Sequence, residues 1–138
     1  MDECLFCRIS AGSEPAEVVW ASDDLVAFLD TRPVFFGHTL IIPRTHIPTL
    51  LELPDDLLPT LFTASRAVAA AMGTALGAEG TFVAMNNVVS QSVPHLHVHV
   101  VPRTKGDGLR GFFWPRHKYP EGEMTLVADQ LRNALTTP

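Results

Sequence analysis

Across residues 55–77 the positions Leu58, Leu61, Phe62, Ser65, Val68, Ala69 and Met72 follow one another at three- and four-residue steps in an alanine-rich background. That period predicts one long amphipathic helix. Pro59 costs least in a first turn, which puts the start at Asp55 or Asp56, and Gly77 ends it. Elsewhere the apolar runs are short and rich in β-branched and aromatic residues. EVVWA and DLVAFLD flank the turn residues Ser22, Asp23 and Asp24, HTLIIP stops at Pro43, and TFVAMNN precedes HLHVHVVPR. These read as five strands, the first two as a hairpin. Residues 4–11 suggest a short first helix with Leu5, Ile9 and Phe6 on its apolar side, and EMTLVADQLRNAL a closing one. The expected architecture is one α+β domain over residues 1–138: a sheet of about five mainly antiparallel strands, with the long helix and the C-terminal helix on one face.

In HLHVHVV, His95, His97 and His99 alternate with Leu96, Val98 and Val100. Side chains two apart on a strand share a face at about 6.6 Å spacing, so three histidines span about 13 Å. A single tetrahedral zinc with bonds of about 2.0–2.1 Å cannot collect all three from a straight strand, although one or two can ligate. A second reading is nucleophilic catalysis, with one neutral imidazole attacking and its neighbours donating to phosphate oxygens. The plain alternative is a polar sheet face; strict alternation between QSVP and VPR favours chemistry.

Composition changes this picture only locally. The chain of 138 residues is 46% apolar, enough for a core, and its formal charge of −5 argues against a broad nucleic-acid surface. Arg103, Lys105, Arg110, Arg116 and Lys118 against Asp107 alone give residues 103–118 a charge of +4, suited to a small polyanion or simply to a solvated loop. No apolar run approaches the roughly 20 residues of a membrane span, and MDECLFCRIS lacks a signal-peptide layout, so a cytoplasmic protein without membrane attachment is expected. In that compartment the Cys4-x-x-Cys7 pair points to metal, redox chemistry or two plain thiols rather than to a structural disulfide.

Taken together, HLHVHVV, QSVPHLHVHVVPR, GHTLIIPRTH and CLFCRISAG resemble, in order, the motifs of the histidine-triad (HIT) superfamily of nucleotide hydrolases and transferases, bacterial branch. GDGL, Trp114 and Tyr119 add to the likeness. The resemblance implies that His97 is the nucleophile, with His99 next to the phosphate and His95 in support. It assigns Gln91 and Ser92 to the phosphate and leaving group, His38 to a place beside the triad, and Asn86 or Asn87 to the phosphate. Asp30 would accept from the ribose hydroxyls, with Phe6, Ile9 and Phe28 as apolar walls around a purine; capping a turn before Pro33, and ordinary core packing, are the competing roles. Cys4, Cys7, His46 and His95 match a structural zinc set of some bacterial relatives, and a homodimer is implied, with no organic cofactor. The stretch NNVVSQ departs from the family: it is two residues shorter than usual and has Ser90 where glycine is common. That departure keeps open a catalytically weak nucleotide- or zinc-binding module beside the phosphoramidase or dinucleoside polyphosphate hydrolase that the motifs imply.

Overall fold

The computed structural model describes residues 4–109 and 115–135, so Arg110 and Trp114 lie outside the described residues. The elements in chain order are α1 (Leu5–Ala11), β1 (Val18–Ala21), β2 (Leu25–Leu29), β3 (Thr39–Pro43), a 3-10 turn (Leu50–Glu52), α2 (Leu57–Leu76), β4 (Gly80–Ala84), β5 (Val98–Arg103) and α3 (Glu123–Leu135). The five strands form one sheet in the order β1-β2-β3-β5-β4, and every neighbouring pair is antiparallel. The expected α+β architecture with a long helix between the third and fourth strands is the one adopted. Two compact units divide the chain, Met1–Asp107 and Gly108–Pro138. In the second, α3 carries Met124, Val127 and Leu131 at helical spacing and an Arg132–Asp129 contact of 2.9 Å.

Helix α2 starts one residue after Asp56, whose side chain makes no cap bond, and Pro59 falls in its first turn. It ends at Gly77 in the left-handed region (φ 69°), where the Gly77 and Ala78 N–H groups bond the Gly73 and Met72 carbonyls. Its buried residues Leu61, Ala64 and Met72 pack with Leu25, Ala27, Ile41, Leu96, Val98 and Val100. On the other face Phe6 of α1 packs with Val26, Phe28, Leu40 and Ile42.

Because α1 and α2 cover opposite faces, β2 and β3 are buried on both, and the in-out alternation expected of a sheet covered on one face is absent from them. A second difference concerns β5, which begins at Val98 and not at His95. Its pairing with β3 runs through Ile41↔Val98. Continuing it would oppose Leu96 to Pro43, which has no N–H to give, and Leu96 N–H bonds the Ile47 carbonyl instead (2.7 Å). The 3-10 turn is secured by a capping box in which Thr49 and Glu52 bond each other's backbone and side chains, a T-x-x-E signal legible in TLLE.

Candidate active site and metal centre

The loop between β2 and β3 presents Asp30 and His38 to the middle of the sheet. Asp30 N–H bonds the His38 carbonyl, His38 N–H bonds that of Phe35, and Arg32 N–H bonds Asp30 Oδ1 at 2.8 Å. Gly37 has φ 105°, a left-handed conformation that favours glycine, while a Cβ there would crowd only the exposed, movable tip of Leu76. In β5, His99 sits between Leu40 of β3 and Ala84 of β4.

Each triad histidine has a different partner, and the partners dictate where its hydrogen resides. His95 Nε2 is 2.8 Å from the Pro43 carbonyl oxygen, which can only accept. The hydrogen is therefore on Nε2, and the Nδ1 lone pair faces Cys4 Sγ at 3.4 Å and Cys7 Sγ at 3.5 Å. His97 Nδ1 is 2.8 Å from the His95 carbonyl oxygen. Nδ1 thus donates, and the His97 lone pair is on Nε2. The third assignment runs through His38, whose Nδ1 accepts from Val34 N–H at 3.1 Å. His38 must then carry its hydrogen on Nε2, donating to His99 Nδ1 at 3.0 Å. His99 is left with an N–H at Nε2. The outcome is a lone pair on Nε2 of His97, an N–H on Nε2 of His99 and a lone pair on Nδ1 of His95 turned to the two cysteines.

Electrostatics agree with neutral His99, His38 and His95 rings. Burial, then the neighbouring His97 and His38, pushes His99 down from 6.5 to about 4, against a smaller upward pull from Asp30. Burial also lowers His38, opposed by Asp30, whose Oδ2 is 3.7 Å from His38 Nε2. Burial lowers His95 too, against the Pro43 hydrogen bond. A histidine depressed in the folded state is protonated more readily when unfolded, so its contribution to stability is full above about pH 6.5 and lost as pH falls towards 4. The thermal midpoint is expected to drop over that window, and His99→Gln to flatten the drop. Identical pH slopes in the two proteins would contradict the assignment.

Cys4, Cys7, His46 and His95 bring two Sγ and two Nδ1 atoms within 4.8 Å of one another, with Cys7 Sγ to His46 Nδ1 at 3.3 Å. A tetrahedral zinc with bonds of about 2.0–2.3 Å sets its ligand atoms about 3.3–3.8 Å apart. The observed 3.3–3.5 Å separations fit that frame, and the Pro43 carbonyl supplies the outer hydrogen bond that fixes a ligating imidazole. Burial and the Cys4 side chain raise the Cys7 thiol, which keeps it protonated until a cation arrives. Asp30, His38 and His99 are equally close together. Val34 N–H nevertheless occupies His38 Nδ1 and leaves a hydrogen on Nε2, so that group does not suit a metal.

The remaining predicted residues separate into two sets. Phe6 and Phe28 are buried edge to face at 5.5 Å with Ile9 packed against them, and Phe6 also meets the His97 ring at 5.0 Å. They are core residues, and Phe6 borders His97 as well. Asp30 both caps the turn and lies beside His38. In the shortened loop, Asn87 Oδ1 accepts from Leu50 N–H, Asn86 Nδ2 donates to the Ser90 carbonyl, and Gln91 bridges Val88 N–H and the Pro48 carbonyl. These amides are engaged with main chain, while Ser92 is exposed. Val88 (φ 70°) and Ser90 (φ 61°) adopt the left-handed region without being glycine. For a β-branched residue this conformation costs roughly 1–3 kcal/mol. Val88→Gly is expected to raise stability by about 1 kcal/mol net of the glycine's unfolded-state entropy, and an unchanged or lower denaturation midpoint would refute the strain.

The sequence assigns no role at the site to Val34, Pro43 or Arg44. The first two act through main-chain atoms, which carry no residue signal. Arg44 donates to the Ser22 and Ser10 carbonyls, tying the end of α1 to the sheet. Of the cations singled out in the sequence, Arg103 is paired with Asp107 at 2.6 Å. A groove of about 1190 Å³ lies on the α2 face between Trp20, Leu29, Phe36, Ala67 and Leu76, and no triad residue lines it. Among the described residues no helix is long and apolar enough to cross a membrane.

An antiparallel five-stranded sheet carrying a tautomer-ordered row of three histidines next to a Cys2His2 cluster defines a histidine-triad class of domain. Residues 11–106 match the HIT domain model. The chain belongs to the HIT family. It is 28% identical over 138 residues to adenosine 5'-monophosphoramidase hnt1 of Schizosaccharomyces pombe, covering 96% of this chain and 98% of that one. The crystal structure of a HIT-family member from Bacillus subtilis superposes with a TM-score of 0.88 at 32% identity, covering 99% of each chain. A zinc-bound histidine triad family protein from Mycobacterium smegmatis gives a TM-score of 0.75 at 33% identity over 96% of this chain and 98% of that one.

Proposed function

We propose that this chain is a nucleotide hydrolase that cleaves at the α-phosphorus of a purine nucleoside 5'-phosphate conjugate, a phosphoramidate or a dinucleoside polyphosphate, through a nucleotidyl-His97 intermediate. The observation that carries the reading is the His97 Nδ1–H bond to the His95 carbonyl, which leaves Nε2 as a lone pair. Nε2 attacks phosphorus, an N–P bond forms, and the bond from phosphorus to the leaving group breaks. Ser92, an exposed hydroxyl, gives the leaving atom its proton. His99 Nε2–H donates to a phosphate oxygen as charge builds there. Water then attacks phosphorus and returns a proton to Ser92, the N–P bond breaks, and His97 returns to its neutral form as the nucleoside monophosphate departs.

Asp30 serves the ribose hydroxyls, and Phe6, Phe28 and Ile9 border the base. His38 fixes the His99 tautomer. Asn86, Asn87 and Gln91 reach the phosphate by exchanging main-chain partners for it. Zinc on Cys4, Cys7, His46 and His95 would be structural, since a closed four-ligand set offers no position to a substrate. The working form is a homodimer in the cytoplasm, which gives the edge strands β1 and β4 a means of being covered.

The name of the fission-yeast relative, a monophosphoramidase, supports the amine leaving group. The test is AMP release from adenosine phosphoramidate and from diadenosine tetraphosphate by wild type and His97→Ala; equal rates would end this mechanism. The engaged amides of Asn87 and Gln91 favour one other reading, a module that binds nucleotide and scarcely turns it over. Tight AMP binding by calorimetry without turnover of either conjugate would select it.

A further inference from the structure

The ligand cluster and the reacting histidine share one piece of main chain. His95 turns its Nδ1 to Cys4 and Cys7, while its own carbonyl oxygen holds the His97 Nδ1–H at 2.8 Å. A second link runs through α1. Phe6 lies between Cys4 and Cys7 in the chain, and its ring meets His97 at 5.0 Å and His95 at 5.9 Å. The helix has only seven residues, too few to be stable through its own hydrogen bonds. Its position depends on the Arg44 clip to Ser10, on Phe6 packing and on the cysteines at its start.

We propose that the Cys4/Cys7/His46/His95 site is a control on the catalytic centre: a zinc-type cation held there fixes His95, and His95 as a positioning residue fixes the tautomer and direction of His97. Four metal–ligand bonds hold the His95 ring and the first turn of α1 rigidly. Without them the sulfur–nitrogen contacts are weak hydrogen bonds, the Pro43 carbonyl is left as the main anchor of the His95 ring, and the His95 carbonyl and Phe6 are held less tightly. The His97 hydrogen can then move to Nε2, the tautomer that cannot attack. A metal acting only as a fold clip would change how much protein is folded and leave His97 in the folded molecules as it was. This inference rests on the hydrolase reading for its kinetic consequence alone.

The experiment uses the full chain labelled with 15N-histidine, zinc-loaded, then stripped with a strong chelator, then reloaded, with zinc content measured at each stage. With one zinc per chain, His97 is expected to show a protonated Nδ1 and a bare Nε2. Stripping should shift its folded-state resonances towards the mixed tautomers of a free imidazole, and reloading should restore them. In parallel kcat should fall about 10- to 100-fold, the range for a displaced catalytic group, with a smaller change in KM. Where stripping unfolds the chain, Cys4→Ala, with three ligands left, is compared with and without zinc by the same resonances. A chain that takes up no zinc, or a His97 signature identical in zinc-loaded and zinc-free folded protein, overturns the proposal. A signature that tracks zinc in a chain that releases no AMP supports the coupling and sinks only the hydrolase reading.

Discussion

His97→Ala is expected to lower kcat/KM for AMP release by about 10³-fold or more, a loss of at least about 4 kcal/mol of transition-state stabilisation. The variant lacks the only triad nitrogen that combines a lone pair at Nε2 with an anchored ring. His95 directs its lone pair to the cysteines, and the Nδ1 lone pair of His99 is taken by His38. No neighbour can substitute. His97 is buried, so the truncation also costs stability, and rates are compared where circular dichroism shows both proteins folded. Millimolar imidazole restoring part of the activity would tie the loss to the missing ring. A variant within tenfold of wild type would mean that another group attacks.

The largest stability effect is expected at Leu61→Ala. Leu61 is fully buried in the cluster of α2 with Ile41, Leu96, Val98 and Val100. Truncation of such a leucine costs about 3–5 kcal/mol, the lost transfer free energy plus the cavity left behind. Leu96, Val98 and Val100 alternate with the triad histidines along one segment, so the same cavity lies directly behind the site. Urea titration should show the midpoint falling with an unchanged slope. A cost below about 1 kcal/mol would mean that α2 is not seated on the sheet as described.

The long helix was legible because Leu58, Leu61, Phe62, Val68 and Met72 keep one period and Gly77 ends it with a left-handed turn. The strands were legible as apolar runs between turn residues, and their ends were less so. Where β5 begins depends on Pro43, a residue on another strand that lacks a ladder donor. Two-sided burial of LVAFL and TLIIP was available in principle, since both are nearly continuous apolar runs, but what covers the second face is a seven-residue helix 14 or more positions away. Single-letter patterns grouped His95, His97 and His99 as one feature. What separates their roles is a carbonyl at Pro43, a carbonyl at His95 and an N–H at Val34, main-chain groups of which every residue carries the first kind and every residue but proline the second. The ligand set joins positions 39 and 88 residues apart from Cys7, a distance at which spacing has no meaning without the fold.

The central claim is that His97 becomes covalently nucleotidylated. The most direct measurement is rapid acid-free quenching of the protein with a slow adenosine 5'-phosphate conjugate, followed by mass spectrometry of the peptide that contains residues 95–103. The account predicts an adenylyl group on that peptide, fragmenting to Nε2-substituted His97, formed before AMP appears in solution and absent from His97→Ala. AMP released in a burst-free time course from a protein that never carries the adduct would contradict it.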